Sequence, residues 1–293
     1  SLHSAYHIPC DEINSLLRDR FNNIWLGSIG GGVLMIDTKQ SPFAFYSLNL
    51  AEDDVPTTAV RALFADADKD LWLGTGSYGL ARKDYETGVL SFFSHIPEFS
   101  DIPGVPTVNY IIQRKNGEVW FATYDGGILI YEKGEKVKVL TESDTPYLYS
   151  DCVSALCEDS KGNCWVGCRG GMGISLADGG HYRFGTLSFA GGGLADWYHV
   201  KDIVEDADGS FWIATANYGI IHIMGDVQHP ETLKYSNYSY NNGQLATNSV
   251  LCLHVDKSGR LWAGTEGGGL YLYDYKENVF TEKNQEYQLS ADM

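Results

Sequence analysis

Short apolar runs recur along the chain in pairs, and a polar turn separates the two runs of each pair. The first run is apolar on both faces, as in Val60 to Phe64, and the second contains a tryptophan, as in Leu71 to Thr75. The tryptophans lie 45 to 50 residues apart, at Trp25, Trp72, Trp120, Trp165, Trp212 and Trp262. A constant period in the forties, without sustained helical periodicity, predicts an all-β repeat protein.

The polar turns share a residue pattern. Arg114 occupies the turn position in one unit, and the other five units have aspartate there: Asp19, Asp66, Asp159, Asp206 and Asp256. Glycine follows three residues later in four units, which predicts a hairpin turn because aspartate bonds nearby backbone and glycine accepts positive φ. A glycine-rich corner then leads to a third strand such as Ile128 to Tyr131, and a more polar fourth strand ends the unit.

Four antiparallel strands per period are typical of a propeller blade, so we predict a β-propeller of six four-stranded antiparallel blades. The tryptophans would fill the wedges between neighbouring sheets. We expect a single domain over residues 1–293, with repeats at approximately 8–50, 55–97, 103–142, 148–188, 195–240 and 245–285. The alternatives are a partial arc of a seven-bladed propeller and an open β-solenoid.

Composition narrows the range of partners. The chain has 38 acidic and 21 basic residues, a formal net charge of −17, which disfavours nucleic acid and anionic lipid surfaces. It contains no run of 18 apolar residues, so we predict no membrane span, and the first residues lack the pattern of a signal peptide. Because residue 1 is serine, we expect targeting signals to lie outside this sequence.

The six cysteines do not form a metal or redox motif. Aligned on the repeat tryptophan, Cys157 and Cys164 occupy positions that are apolar in most other units, which favours a core role. A bridge between Cys157 and Cys164 across their hairpin is the alternative. Cys10, Cys152, Cys168 and Cys252 complete the set.

Two further motifs resemble ligand sites but are explained better by the repeat. Gly74, Gly76 and Gly79 match a dinucleotide fingerprint, yet the following residues predict a strand and not the required helix. The aspartates after Ala65 and Glu205 lack the glycine and closing glutamate of a calcium loop. We predict no cofactor, no metal and no catalytic residue.

The repeat resembles the two-component regulator propeller repeat. The closest copies run from Asp256 to Asp274 and from Asp66 to Leu80, and six degenerate copies cover residues 13–284. Departures from the pattern are Ala122 and Ala214 for glycine, Cys168 for threonine and Met172 for a corner glycine.

This resemblance implies the periplasmic sensor region of a hybrid histidine kinase/response regulator of the Bacteroides type, where such repeats are associated with glycan detection. It implies an inner-membrane protein whose kinase domains lie outside this chain, further sensor domains as partners, and a homodimer in the full-length protein. It supplies no fixed ligand residues.

In a propeller, the corners between second and third strands share one face with the residues that lead into the first strands. The corner and lead-in residues differ between units and mix aromatic, amide and charged side chains, a combination suited to sugar hydroxyls and ring faces. The candidate ligand-binding residues are Tyr78, Tyr124, Asp125, Arg169, Trp197, Tyr198, His199, Asn217, Tyr218 and Glu266. Trp197 stands out because it is the one tryptophan outside the repeat register, and Arg169 is expected to pair with Asp125 or with an acidic sugar.

Three functions are therefore compatible with the sequence. The first is a sensor that binds an oligosaccharide or related small ligand and relays the event to a kinase. The second is a metal-dependent lyase with His199 and Glu266 as metal ligands. The third is an interaction scaffold that mediates dimerisation.

Overall fold

The computed structural model describes residues 13–19, 24–28, 32–36, 44–46, 59–76, 79–92, 96–102, 107–185, 187–189, 193–195 and 198–284. The chain divides into two compact units, Ser1–Leu140 and Thr141–Met293. Each unit contains three four-stranded antiparallel sheets with the strands in sequence order. The predicted all-β propeller fold of four-stranded antiparallel blades is thus confirmed, and the described residues form six such sheets, while the single-domain assignment stays a prediction.

The first unit holds sheets 1, 2 and 3, which follow one another along the chain. Their strands are β1 Ile13–Arg18, β2 Ile24–Ser28, β3 Gly32–Ile36, β4 Ala44–Tyr46, β5 Val60–Ala65, β6 Leu71–Thr75, β7 Leu80–Lys83, β8 Leu90–Phe92, β9 Val108–Gln113, β10 Val119–Thr123, β11 Ile128–Tyr131 and β12 Lys138–Leu140. A short 3₁₀ turn, Pro97–Phe99, lies between sheets 2 and 3. The strand β7 follows Gly79, which supports the repeat explanation of the glycine fingerprint.

The second unit holds sheets 4, 5 and 6 and a two-stranded hairpin between sheets 4 and 5. Its strands are β13 Val153–Glu158, β14 Cys164–Cys168, β15 Gly171–Ser175, β16 His181–Phe184, β17 Leu187–Phe189, β18 Gly193–Ala195, β19 Val200–Glu205, β20 Phe211–Thr215, β21 Ile220–Met224, β22 Lys234–Tyr238, β23 Val250–Val255, β24 Leu261–Thr265, β25 Gly269–Asp274 and β26 Val279–Glu282. The 3₁₀ turns are Pro230–Thr232 and Tyr240–Asn242. No helix within the described ranges is long and apolar enough to cross a membrane.

The second strands of sheets 2 and 4 carry their tryptophan toward the following sheet of the same unit. In the first unit, the Trp72 ring packs on Phe121 of sheet 3 with ring centroids 5.1 Å apart. In the second unit, Trp165 packs on Phe211 of sheet 5 at 4.2 Å. Burying an indole on a neighbouring sheet is the contact that a single blade cannot supply for itself. The predicted wedge role of the tryptophans is confirmed within each unit.

The aspartate of the polar turn binds the tryptophan six residues later. The indole Nε1 donates to the aspartate Oδ2 at 2.7 to 3.2 Å in five sheets, in the pairs Trp25 and Asp19, Trp72 and Asp66, Trp165 and Asp159, Trp212 and Asp206, and Trp262 and Asp256. In sheet 3, where Arg114 replaces the aspartate, Trp120 donates instead to Glu118 Oε2 at 3.0 Å. We call this indole–carboxylate hydrogen bond the clasp.

The glycine two residues after the tryptophan lies where the next sheet packs closely against the second strand. A Cβ on Gly74 would lie 2.8 Å from Val108 Cγ1 of sheet 3, and a Cβ on Gly167 would collide with Val200 of sheet 5. Ala214 occupies the equivalent position in sheet 5 and is fully buried, so this sheet boundary accommodates one more methyl group.

The alternative of a Cys157 to Cys164 bridge is wrong. Neither thiol forms a disulfide, and the register pairs Cys157 with Trp165 and Cys164 with Glu158. Adjacent cross-strand pairs point to opposite faces of a sheet, so the two sulfur atoms cannot meet. Burial raises the pKa of the Cys157 thiol to about 12 and that of Cys168 to about 11, as expected for core cysteines.

Candidate functional site

The corner and the lead-in segment lie at the same end of each of sheets 2 to 6. The backbone N–H just after the second strand donates to the carbonyl just before the first strand at 2.9 to 3.0 Å, in the pairs Gly76 and Ala59, Tyr124 and Thr107, Arg169 and Cys152, Ala216 and His199, and Glu266 and Ser249. The expectation that corners and lead-in residues share one face is therefore confirmed for each of these sheets.

The threonine that ends the second strand fixes the shape of the corner. Thr215 Oγ1 donates to the Gly219 carbonyl at 2.8 Å and accepts from the Tyr218 N–H at 2.9 Å. Gly219 has a φ of 75°, which glycine adopts without strain. Thr123 and Thr265 make the same bond to the glycine four residues on. The corners are thus rigid, and the two residues at their tips are free to differ between sheets.

In the second unit, the corners of sheets 4 and 5 each rest on the lead-in segment of the next sheet. Arg169 forms an isolated antiparallel bridge with His199, and the Gly170 N–H donates to the Tyr198 carbonyl at 3.1 Å. One sheet further on, the Gly219 N–H donates to the Asn248 carbonyl at 2.8 Å. These contacts make one continuous surface across sheets 4, 5 and 6, which we call the corner edge: Arg169, His199, Asn217, Tyr218, Asn248 and Glu266.

Side-chain hydrogen bonds hold the corner edge in place. Asn217 Oδ1 accepts from the His199 N–H at 3.1 Å, so the amide of one corner closes onto its own lead-in segment. Ser249 Oγ donates to Glu266 Oε2 at 2.8 Å. Asn217, Glu266 and Arg169 are exposed, whereas His199 and Tyr218 are half-buried. Five of the predicted site residues are therefore brought together on one surface.

Tyr198 does not belong to that surface. It is 0% exposed, and its hydroxyl donates to the Phe184 carbonyl at 2.6 Å inside the core shared by sheets 4 and 5. The side chains of neighbouring extended residues point in opposite directions, so when His199 faces the corner edge, Tyr198 faces inward. Tyr198 is therefore a core residue and not the surface residue that the sequence pattern predicts.

The remaining predicted residues lie either on sheet 3 or outside the described residues. Tyr124 and Asp125 lie on the corner of sheet 3 in the first unit, where both are exposed. Tyr78 and Trp197 lie outside the described residues. The expected pairing of Arg169 with Asp125 joins two units that are described separately, and it stays a prediction.

His199 is held in its neutral form. Burial of the imidazole, followed by the nearby positive charges of Lys201 and Arg169, lowers its pKa from 6.5 to about 4. A neutral imidazole can donate from one nitrogen and accept on the other, which suits a hydroxyl-bearing ligand. At neutral pH, His199 is therefore a hydrogen-bonding group, and the positive charge of this part of the corner edge comes from Lys201 and Arg169.

The depressed pKa of His199 predicts a pH-dependent contribution to stability. Between pH 6.5 and about 4 the unfolded chain holds a proton on this residue that the folded chain does not. The free energy of unfolding therefore falls as the pH drops through this window, and His199 contributes no pH dependence above it. An NMR titration of the imidazole should give a midpoint near 4, rising toward 6.5 in a Lys201→Met variant. A wild-type midpoint at 6.5 would contradict this electrostatic account.

Two notable residues were missed by the sequence analysis. Asp202 is buried in β19, where its Oδ2 accepts from the Leu253 N–H of β23 at 2.8 Å and ties sheet 5 to sheet 6. The sequence does mark Asp202 as unusual, because the equivalent positions of other repeats carry the small or apolar residues Ala62, Ala155 and Cys252. Tyr240 is 63% exposed beside the corner of sheet 5. The sequence pattern does not single it out, because it is the last residue of the fifth predicted repeat, where the units share no residue pattern.

The lyase alternative required a metal bound by His199 and Glu266. Among the described residues, no three side chains of His, Cys, Asp or Glu are grouped so that they could hold a metal ion. His199 is instead close to the cations Lys201 and Arg169, and Glu266 accepts from Ser249.

Comparisons with known proteins agree with the repeat. The family profile described as Two component regulator propeller matches residues 7–30, 150–170 and 244–267. No curated protein sequence matches the chain significantly.

Solved propeller structures share the fold. PorZ, described as a surface component of the type-IX secretion system of Porphyromonas gingivalis, is 21% identical with a TM-score of 0.65, over 88% of this chain and 38% of PorZ. Inactive virginiamycin B lyase from Staphylococcus aureus with quinupristin is 15% identical with a TM-score of 0.66, over 92% of this chain and 83% of the lyase.

A further match is a structure described as the extracellular domain of hybrid two component system BT4673 from B. thetaiotaomicron, at 19% identity and a TM-score of 0.49, over 95% of this chain. The chain spans only 36% of that domain. The family matches fall on the first, fourth and sixth predicted repeats. Three of the predicted repeats thus match the two-component regulator propeller family, as their sequence pattern predicts.

Proposed function

We propose that this chain is a ligand-sensing, extracytoplasmic part of a two-component signalling protein, and that it relays ligand binding to a histidine kinase outside this chain. The observation that carries the proposal is the match of three separate segments to the two component regulator propeller. A periplasmic position, further sensor domains of the same protein and a homodimeric full-length protein belong to this proposal. No catalytic role is assigned to the chain itself.

The corner edge is the proposed ligand-binding surface. The clasp recurs in all six of the described four-stranded sheets, but the residues at the corner tips differ: they are Arg169 in sheet 4, Asn217 and Tyr218 in sheet 5, and Glu266 in sheet 6. Rigid elements that present variable side chains are where binding residues are commonly found. Repeat geometry explains the scaffold residues and leaves the corner tips available for recognition.

The chemistry of the corner edge favours an oligosaccharide. Asn217 and Glu266 offer amide and carboxylate groups, and neutral His199 offers a donor and an acceptor in one ring. Tyr218 adds an aromatic ring. Sugars require polar groups for their hydroxyls and apolar surface for their C–H faces, and both lie within three adjacent sheets.

Titration calorimetry tests this proposal. The panel contains cellohexaose, mannohexaose, xylohexaose and an oligogalacturonate, and we expect saturable binding of at least one sugar. Glu266→Gln should weaken that binding about tenfold, because a hydrogen bond to a charged group is worth about 1.5–3 kcal/mol. Glu277→Gln, on the exposed turn between β25 and β26, is the matched control and should leave the affinity unchanged.

Two results would contradict the proposal. The first is the absence of binding to every sugar by a chain whose circular dichroism shows the folded β structure. The second is an equal loss of affinity in Glu266→Gln and Glu277→Gln, which would move the site away from the corner edge.

A further inference from the structure

A rigid loop displays an aromatic ring next to the corner edge. The loop joins β22 to β23 and carries Tyr240 at the start of a 3₁₀ turn. Asn242 Oδ1 accepts from the Ser239 N–H at 2.9 Å, and Asn242 Nδ2 donates to the Asn237 carbonyl at 2.7 Å. Gly243 closes the turn with a φ of 74°. The backbone on both sides of Tyr240 is therefore fixed.

The rest of the loop is anchored in the core of the second unit. Leu245 is buried with Tyr271 and Phe280 between sheets 5 and 6. The Ala246 N–H donates to the Tyr271 hydroxyl at 2.9 Å, and the Tyr240 N–H donates to Asn248 Oδ1 at 2.9 Å. A ring held on such a loop has lost most of its backbone freedom before any ligand arrives, which lowers the entropic cost of binding.

The loop lies against the corner of sheet 5. The register of β21 and β22 ends at the pair of Ile220 and Tyr238, so Tyr218 and Tyr240 each lie two residues beyond the same end of this ladder. Asn237 Nδ2 donates to the Tyr218 carbonyl, which ties β22 to the corner. Gly219 approaches Tyr238 and Ser239 so closely that a Cβ there would collide with their backbone. Asn248 contacts both elements, since its carbonyl accepts from Gly219 and its side chain accepts from Tyr240.

The Tyr240 ring is open to solvent in spite of this anchoring. It is 63% exposed, and within the described part of the chain its hydroxyl has no hydrogen-bond partner. Tyr275 shows the contrasting case, because its hydroxyl donates to Asp206 at 2.9 Å and the residue has a structural role. The structure thus fixes the Tyr240 backbone and leaves its aromatic face uncovered beside the ligand-binding surface.

We propose that Tyr240 is the stacking platform for a neutral pyranose ring of the oligosaccharide bound at the corner edge. This inference rests on the proposed function and adds a residue and a ligand class to it. The electron-rich face of a tyrosine ring attracts the polarised C–H groups of a sugar, and its hydroxyl can bond a neighbouring sugar hydroxyl. A neutral sugar fits because the chain has a net charge of −17 and Glu266 lies on the same surface.

The test compares three variants by calorimetry, using cellohexaose, mannohexaose and xylohexaose as neutral probes and an oligogalacturonate as the acidic one. We expect Tyr240→Ala to weaken binding of a neutral hexasaccharide about tenfold, the effect of losing one aromatic contact. Tyr240→Phe keeps the ring and should stay within about twofold of wild type. Tyr85→Ala removes another exposed tyrosine, in the first unit, and should leave binding unchanged. A thermal melt of each variant shows whether it is folded.

The outcomes separate this inference from the proposed function. If the wild type binds a neutral sugar and Tyr240→Ala binds it equally well, the stacking role is overturned while the sensor proposal stands. If Tyr240→Phe loses as much affinity as Tyr240→Ala, the hydroxyl and not the ring face carries the contact, and stacking is again overturned. Binding of the oligogalacturonate alone would overturn the neutral ligand class. Failure of the folded wild type to bind any probe would overturn both proposals.

Discussion

Replacing Trp212 with alanine is expected to lower the free energy of unfolding by about 3–5 kcal/mol, the cost of emptying a large aromatic site in a packed core. Trp212 is 0% exposed and its ring lies between sheets 5 and 6. Its centroid is 4.6 Å from that of Tyr273 and 3.7 Å from that of the stacked His222 ring. Urea unfolding followed by circular dichroism measures the loss as a lower midpoint.

Trp262 provides the matched control for that experiment. It occupies the same repeat position and donates to Asp256 at 3.1 Å, but its side chain is only half-buried. Because less apolar surface is removed from water, Trp262→Ala should cost less than about 2 kcal/mol. Equal losses in the two variants would contradict the claim that packing between sheets, and not the clasp alone, provides the stability.

Asp159→Ala is expected to destabilise the chain by about 2–4 kcal/mol, because it leaves several buried donors without their acceptor. Asp159 is 1% exposed. Its Oδ1 accepts from the N–H groups of Lys161 and Asn163 at 3.0 and 2.8 Å. Its Oδ2 accepts from Asn163 Nδ2 at 2.8 Å and from the Trp165 indole at 3.2 Å. The free energy of unfolding from urea titration measures this effect.

Asp178→Ala is the control for the clasp. Asp178 lies in an exposed turn of the same sheet and accepts from the Gly180 N–H. Its removal should change the free energy of unfolding by less than about 1 kcal/mol, because water replaces the lost bond. If Asp159→Ala were no more destabilising than Asp178→Ala, the clasp would be a consequence of the fold and not a support for it.

The repeat pattern predicts the sheets, but it does not predict the hydrogen bond between the tryptophan and the turn aspartate. The spacing of Trp72 and its equivalents determines strand order, because each blade is a local hairpin followed by two more strands. The turn role of Asp66 was also predictable from its residue type. Its second role, as acceptor for Trp72, depends on how the hairpin folds back over six residues. In sheet 3, where Arg114 replaces the turn aspartate, Glu118 accepts the indole hydrogen bond instead. An alignment of the repeats shows only that the aspartate is missing there.

Part of the candidate site was predictable, because a comparison of the repeats shows which corner and lead-in residues vary. Arg169, His199 and Asn217 differ from their equivalents in other repeats, and the fold brings them together. Tyr198 also breaks the pattern, but side-chain direction in a lead-in segment depends on an alternation that repeat alignment does not encode. Tyr240 is the last residue of the fifth predicted repeat, where the units share no residue pattern, so a comparison of the repeats does not single it out.

We propose that recognition takes place on the corner edge of the second unit, whereas the clasp residues serve as scaffold. Hydrogen–deuterium exchange with and without a saturating oligosaccharide distinguishes the two regions. We expect slower exchange in peptides covering the corners at 166–172, 214–219 and 264–268 when the sugar is bound. Slower exchange confined to the clasp turns at 159–163, 206–210 and 256–260, with unchanged corners, would contradict this proposal.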